Sequence, residues 1–276
     1  MESQFDTLKH LGPLTAQAHI AAFCEFDEQV WQRYRHLATQ HGPVTHGSRE
    51  YLVVRMMYIA EVTSNAIRMN ATWMLTPAAM SLLRDRYEQT VRFSWLARNP
   101  DQKVYIKYER ALFGTLNAIA RNVDAETIRR FEKRLGPVPA WAIAKPTKEQ
   151  EAQFKAWPAN LRALAKQRDG FPPVADTNLA KAGLARWYDS IYKQFSSVSH
   201  YDRFSIEMVK LCQNPNGSFG LSLESHWPGL LIFFAGYLDM IQCLEATRIS
   251  LEQDASTMFE GLFTEWHVLS QQFRDI

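Results

Sequence analysis

The feature that most constrains the fold is an apolar stretch from Gly229 to Ala246, GLLIFFAGYLDMIQCLEA, interrupted by Asp239 and Glu245. A membrane-spanning helix needs about 20 predominantly apolar residues, and the two acids break the run before that length. We therefore interpret the stretch as a helix buried in the centre of a protein core. Because an isolated buried carboxylate is costly, Asp239 must have a partner there.

Helical periodicity dominates the rest of the chain, because apolar residues recur three and four positions apart between groups of Pro, Gly and Asn. This pattern predicts an all-α fold, a multi-helix bundle of long helices that forms one domain over 1–276. Thr76 and Pro77 indicate a helix start, with Thr as the N-cap and Pro at the first helical position. The predicted helices run from about Thr15 to Gln40, from after Ser48, from Thr76 to Arg98, from Gln102 to Arg121, from Asp124 to Gly136, from Asn178 to Ser199, from Trp227 to Glu252 and from Ser256 to Phe273.

Two regions depart from this periodicity. Six prolines make the segment near 137–173 irregular, and the sequence leaves open an inserted subdomain over 124–175. Between 204 and 225, two apolar runs flank Asn216-Gly217, a dipeptide that favours a tight turn between strands. We therefore predict a small β-hairpin near 204–225.

Charge and cysteine content indicate a cytoplasmic protein that does not enter a membrane. The formal net charge is +2, which gives no general attraction to nucleic acid or anionic lipid. Cys24, Cys212 and Cys243 are far apart and lack the spacing of a disulfide framework, so we expect reduced thiols. The first residues, MESQFDTLKHLG, contain acids and no apolar core, so no signal peptide is predicted.

A row of polar residues could form a site between two of the predicted helices. Arg84 and Glu88 share a helical stripe with Val91 and Trp95. Another helix carries a matching row at four-residue spacing, formed by Tyr192, Ser196 and His200. In a catalytic role, His200 would be the acid-base and Arg84 would hold an anion. The alternative is a satisfied buried network that fixes how the helices pack.

At these residues the chain resembles a family of uncharacterised bacterial all-helical proteins, known only as a domain of unknown function. The resemblance is carried by LLRDRYEQTVRFSWLARNPD, which includes Arg84 and Glu88, and by YDSIYKQFSSVSH, which ends at His200. It extends over about 80–200 and the closing helix, and it implies a helical fold with no established activity.

That family is in turn distantly similar to the HEPN class of helical bundles, many of whose members cut RNA with an Arg and a His on one helix. This likeness implies a His that acts on the 2′-hydroxyl and an Arg that steadies the phosphate. Arg35 and His41 have the corresponding six-residue spacing, so they are an alternative catalytic pair. The competing interpretation is a solvated helix end, where histidines favour the negative pole of the helix dipole.

Basic residues are concentrated between 129 and 168, where ten Lys and Arg face three Glu, a net charge of +7 that leaves the rest of the chain at about −5. Aromatic residues are interleaved with them, as in surfaces that bind single-stranded nucleic acid. We take RNA or a nucleotide as the expected partner, although an ordinary solvated helix would show the same charges. The nucleic-acid-binding candidates are Arg129, Arg130, Lys133 and Arg134.

Other chemistries lack their signatures. The sequence contains no Glu-x-x-His, no Cys-rich zinc spacing and no phosphate-binding glycine loop, so neither a metal nor a cofactor is predicted.

Three functions therefore stay open. The first is an RNA- or nucleotide-directed protein, such as a metal-independent ribonuclease or a defence component of the toxin type. The second is a non-enzymatic interaction or regulatory module, which would show an exposed apolar or basic patch without a pocket. The third is a small-molecule enzyme with a cavity lined by Trp95, Tyr188 and Tyr192. A homodimer is also open.

Overall fold

The computed structural model describes six stretches of the chain and a few single residues. The stretches are 16–44, 48–101, 160–198, 209–213, 219–223 and 227–272, and the single positions are 104, 108, 126, 129, 130, 133 and 217. The helices predicted from Gln102 to Arg121 and from Asp124 to Gly136 lie almost entirely outside these residues. Most of the subdomain predicted over 124–175 does so too.

Three long helices open the described chain: α1 Ala16–Gln40, α2 Arg49–Thr72 and α3 Thr76–Arg98. Their bounds confirm the prediction. Ser48 caps α2, because its hydroxyl accepts the backbone N–H of Tyr51 at 3.1 Å.

The N-cap of α3 differs from the prediction, because Leu75 and not Thr76 occupies that position, and its side chain makes no capping bond. The chain reverses direction within three residues, with Met74 in the left-handed region at a φ of 56°. Backbone bonds from Met74 to Ala71 and from Leu75 to Asn70 close this turn. Thr76 thereby lies inside the first turn with its side chain buried, and Pro77 stands near the start of the helix as predicted.

The helix predicted from Asn178 to Ser199 is wrong as one continuous element. After α4, Leu161–Gly170, the chain forms a short α5, Asn178–Lys181, then a 3₁₀ turn, Ala185–Trp187, a π-helix, Tyr188–Lys193, and α6, Gln194–Val198.

The helix is interrupted because neighbouring side chains bind the backbone between α5 and the 3₁₀ turn. The Asp169 carboxylate accepts the N–H groups of Leu184 at 3.0 Å and Ala185 at 2.8 Å. The guanidinium of Arg168 donates to the carbonyl of Ala182 at 2.6 Å. These groups would otherwise form the i to i+4 bonds of a helix.

Two short antiparallel strands, β1 Val209–Gln213 and β2 Phe219–Leu223, pair with Val209 opposite Leu223 and Gln213 opposite Phe219. They lie in the segment where the sequence favours a hairpin, and Gly217 between them has a φ of +80°. The other described elements are helical, so the fold is all-α with several helices.

The apolar stretch forms α7, Trp227–Glu245, which continues as a π-helical turn, Ala246–Ser250, and is followed by α8, Ser256–Gln272. Helix α7 packs against α1, α2, α3 and α8, and every residue in it except Phe233 is buried. By length and composition alone, the segment Trp227–Ser250 could cross a membrane, but 94% of its apolar window is buried inside the fold. It therefore forms the centre of the bundle, as predicted.

Candidate functional site

The structure brings together two of the predicted site residues, Arg84 on α3 and Tyr192 in the π-helix. The Arg84 guanidinium lies over the Tyr192 ring, 4.9 Å from its centroid, and donates to the hydroxyl at 3.3 Å. This hydrogen bond to Tyr192 is the largest influence that raises the pKa of Arg84. The Arg84 side chain stays 29% exposed, so part of the guanidinium is accessible to solvent.

This contact belongs to a longer surface row, which we call the Arg–Tyr row: Arg84, Tyr192, Tyr188 and Arg162. The two tyrosine rings stack at 5.2 Å, and Arg162 lies 5.6 Å from the Tyr188 centroid. Both rings thus have a cation on their outer face, which fixes the direction of each guanidinium. Exposed acids lie beside both cations, with Asp85 3.5 Å from Arg84 and Asp189 3.2 Å from Arg162.

The other members of the predicted row have separate partners. Glu88 pairs with Arg92 one turn along α3 at 2.8 Å, and the Ser196 hydroxyl donates to the Tyr192 carbonyl at 2.5 Å. His200 lies outside the described residues. The row is therefore partly assembled, with Arg84 and Tyr192 in contact and Glu88 turned to Arg92.

The alternative pair, Arg35 and His41, is not joined by any hydrogen bond or ion pair within the described part of the chain. Arg35 instead binds Glu28 at 2.5 Å and Glu61 at 3.3 Å, with its side chain 48% exposed. The backbone N–H of His41 closes the end of α1 by donating to Ala38.

Three of the predicted nucleic-acid-binding residues, Arg129, Arg130 and Lys133, are exposed. Arg130 pairs with Glu126 at 2.6 Å, while Arg134 lies outside the described residues.

The strongest polar cluster is one that the sequence only partly indicated, and it surrounds Asp239. Arg86 of α3 binds the Oδ1 atom of Asp239 through Nε at 2.7 Å and through Nη2 at 2.5 Å. Ser64 of α2 donates to the same oxygen, and Trp31 of α1 donates to Oδ2, both at 2.9 Å. All four residues lie in the interior, so this carboxylate links α7 to α1, α2 and α3.

Arg86 uses its third nitrogen for two further buried groups. Its Nη1 atom donates to the Thr90 hydroxyl at 2.7 Å and to the Gln242 carbonyl oxygen at 2.5 Å. The expectation that Asp239 has a partner is thereby confirmed. Arg86 itself was missed, although it is only two positions from Arg84, because this spacing places the two side chains on different sides of α3.

A second carboxyl, Asp27 of α1, faces this cluster and is completely buried. Burial, followed by the charge of Asp239, raises the pKa of Asp27 well above its ordinary value. Arg68 of α2 contacts its Oδ2 atom at 2.9 Å and acts in the opposite direction. A protonated Asp27 could donate to Asp239 and still accept from Arg68, which agrees with the raised pKa of Asp27.

A second buried cluster surrounds Glu245 at the end of α7. Arg98 of α3 and Arg168 of α4 both bind its Oε1 atom, at 2.7 and 2.6 Å. Burial would raise the pKa of Glu245, but these two guanidiniums outweigh burial and hold that pKa below its ordinary value. Arg98 also donates to the carbonyl of Ala180 at 2.6 Å, which attaches α5 to the cluster.

Comparison with known families gives one match, to the model described as Family of unknown function (DUF5677), over residues 50–218. The chain belongs to this family. The DUF5677 match contains the Arg–Tyr row and the cations of both clusters, Arg86, Arg98 and Arg168. The acids at the centres of the two clusters, Asp239 and Glu245, lie outside it, and so does Asp27. No curated protein and no solved structure matches the chain.

The side chains at the centres of both clusters, Arg86, Asp239, Arg168 and Glu245, are buried. A groove of about 420 Å³ lies elsewhere, between α1 and α8, and contains none of the predicted site residues. Among the residues that the structure describes, no group of three or more His, Cys, Asp or Glu has a metal-binding arrangement. The groove is lined by Ala22, Glu25, Phe26, Gln29, Thr264, Glu265, Val268 and Leu269.

The geometry of the clusters fits a structural role, whereas the Arg–Tyr row combines exposed cations with fixed geometry. Arg86 and Arg168 are completely buried with carboxylate partners, and breaking such pairs is strongly destabilising. The Arg–Tyr row is consequently the better candidate for a binding site.

Proposed function

We propose that this DUF5677 protein is RNA- or nucleotide-directed and that Arg84 holds a phosphate group. The contact of Arg84 with Tyr192 carries the proposal, because these residues belong to the two polar series that the sequence places on different helices. The ring and the hydroxyl orient the guanidinium before a ligand binds, which lowers the entropic cost of binding. Asp85 competes weakly for the same cation, since exposed ion pairs contribute little.

Metal-independent RNA cleavage is the reaction that such a row would support. His200 follows Tyr192 and Ser196 at four-residue spacing and would take the proton of a ribose 2′-hydroxyl. The 2′-oxygen would then attack the neighbouring phosphorus as the 5′-oxygen leaves, and Arg84 would stabilise the added charge on the phosphate. The distant likeness to HEPN ribonucleases supports the same assignment of His and Arg.

Basic residues beyond the row favour a polyanionic partner. Outside the Arg–Tyr row, Arg129, Arg130 and Lys133 are exposed. An RNA strand neutralised by several such cations binds with a steep dependence on salt concentration.

The small-molecule alternative receives less support from the described residues. It required Trp95 to line a cavity with Tyr188 and Tyr192. Trp95 is instead 5% exposed, and its indole N–H donates to the side chain of Gln167 in α4 at 2.9 Å. The interaction-module alternative required an exposed apolar patch, and α2 carries one.

The test is incubation of the protein with total RNA in the presence of chelator, with cleavage read on a gel and single-stranded RNA binding read by fluorescence anisotropy. We expect Arg84→Ala to weaken binding at least tenfold and His200→Ala to abolish cleavage while binding is kept. Arg92→Ala is the matched control, since Arg92 lies on the same helix and pairs with Glu88.

Each variant needs an unchanged melting temperature for this comparison. Absence of both binding and cleavage in the wild type would overturn the proposal. Loss of cleavage only in an Arg35→Ala/His41→Ala variant would move the site to the end of α1.

A further inference from the structure

Helix α2 and the turn after it present an unusually apolar outer surface, which we call the α2 face. Ten residues between 49 and 75 are exposed, and eight of them are large apolar side chains, accompanied by Arg55 and Thr72. Only one other large apolar residue of the described chain, Val268, is exposed to this degree. The α2 face consists of Val54, Tyr58, Ile59, Val62, Met69, Trp73, Met74 and Leu75.

The spacing on this face is that of a helix that packs along another helix. Arg55, Val62 and Met69 recur every seven residues. Two parallel series, which start at Tyr58 and at Ile59, continue at the same interval to Thr72 and Trp73. A seven-residue repeat keeps one side of a helix against a partner helix over its whole length.

The α2 face is also large enough to form a stable interface. Tyr58 and Trp73 are 68% and 75% exposed, and each offers on the order of 150 Å² of contact area. With the other six side chains, the face approaches the roughly 800 Å² that each partner contributes to a typical stable complex. Exposed patches of that size on a monomer mark interaction sites.

We propose that the α2 face is the interface of a homodimer in which α2 of one chain packs antiparallel on α2 of a second copy. The face complements itself about a two-fold axis at the level of residue 64. Such an axis places Val62 opposite Ala66 of the second copy and Ile59 opposite its Met69. The small residues then meet at the centre, and the large ones fill the space on either side.

The charges on the face fit the same arrangement. Arg55 is the only charged residue among the ten exposed positions, and the axis sets it opposite Trp73 of the second copy, where it can lie over the indole. A surface that binds anionic lipid would carry a row of Lys and Arg along its apolar side. The α2 face lacks such a row, so a protein partner with the same apolar repeat fits it better.

This proposal is independent of the RNA-directed function, because the Arg–Tyr row and the α2 face share no residue. The test is sedimentation equilibrium of the full chain. We expect the wild type to have twice the monomer mass and Val62→Asp to weaken the association at least a hundredfold. Val268→Asp is the matched control, since Val62 and Val268 are 49% and 50% exposed, and it should leave the dimer intact.

Disulfide trapping checks the arrangement without a destabilising charge. A Val62→Cys/Ala66→Cys variant should form a covalent dimer on mild oxidation, whereas Val62→Cys/Val268→Cys should not. A monomeric wild type at tens of micromolar would overturn the proposal. So would a dimer that only Val268→Asp disrupts, or a monomer that floats with anionic phosphatidylserine vesicles.

Discussion

Asp239 shows how one carboxylate can hold a bundle together. It accepts hydrogen bonds from Trp31, Ser64 and Arg86, which belong to three different helices. If the carboxylate is removed, the buried guanidinium is left as an uncompensated charge. Leaving that charge in the core costs far more free energy than the intact ion pair contributes to stability.

We therefore expect Asp239→Asn to reduce the free energy of unfolding by about 3–5 kcal/mol, the range found when one member of a buried pair is removed. Urea unfolding followed by circular dichroism measures this loss. Asp85→Asn is the control, since Asp85 is more than half exposed beside Arg84 and should leave the midpoint unchanged. Equal stability of wild type and Asp239→Asn would show that the cluster does not hold the helices.

Asp27 gives the fold a pH dependence whose sign can be stated. Burial and the charge of Asp239 raise its pKa, so the folded state holds a proton that the unfolded chain releases above about pH 4. The free energy of unfolding should fall as pH rises from that value through the raised pKa. Asp27→Asn, which imitates the protonated acid, should remove this fall.

The measurement is urea unfolding of wild type and Asp27→Asn at several pH values between 4 and 9. The difference in unfolding free energy between the two proteins isolates the contribution of Asp27. Acids such as Glu245, whose pKa is lowered, make stability rise with pH and are present in both proteins. A constant difference across the whole pH range would contradict the raised pKa of Asp27.

Among the elements, the segment from α5 to α6 is shaped by side chains of α4. Asp169 bonds the first N–H groups of the 3₁₀ turn, as an N-cap residue would, but from another helix. A methyl group on Gly183 would lie 3.2 Å from the same carboxylate, so this position also requires a small residue.

Asp169→Ala should therefore cost about 1–3 kcal/mol, because it leaves buried N–H groups without an acceptor. It should also disturb the Arg–Tyr row, whose tyrosines follow in the π-helix. Thermal unfolding measures the first effect, and RNA binding measures the second. Asp189→Ala is the control, since it removes an exposed acid from the same region. It should reduce neither thermal stability nor RNA binding as much as Asp169→Ala does.

Elements formed by local patterns were predictable, whereas elements formed by distant contacts were not. The caps and breaks that bound α1 and α2 are adjacent in sequence, so their limits agree with the prediction. The segment 178–198 has helical periodicity, but Arg168 and Asp169 compete for its backbone from outside. A single sequence carries no signal for that competition.

The candidate site, like the fold, was predictable where local spacing determines it and unpredictable where contacts between helices do. The row that contains Arg84 and Tyr192 follows from helical spacing, and the contact between its halves is present. The need for a partner at Asp239 follows from the cost of burial, but the identity of that partner depends on how α3 is rotated about its axis. Glu88 instead pairs within its own helix, with Arg92 one turn further along.

At the scale of the whole molecule, α7 is the element to which the other helices are attached. Asp239 links it to α1, α2 and α3, while Glu245 links it to α3 and α4. Displacement of α3 would leave the Asp239 carboxylate in the apolar core without its guanidinium partner.

We expect the backbone N–H groups of α7 to exchange with solvent only through global unfolding. Hydrogen exchange followed by mass spectrometry should show peptides from 230–244 as the slowest of the described chain, slower than those from the exposed side of α8. Asp239→Asn should make these amides exchange faster. The free energy of opening calculated from that change should fall by the same amount as the global free energy of unfolding. Faster exchange in α7 than in α8 would show that the core opens locally.

The position of α7 late in the chain bears on how the protein is made. When this helix leaves the ribosome, α1 to α4 have already been synthesised, so the residues that enclose it are available at once. Asp239 lies near the middle of the segment that could span a bilayer, where an aspartate adds about 3 kcal/mol to the cost of insertion. The carboxylate that ties the finished bundle together therefore also raises the cost of placing the newly made helix in a bilayer.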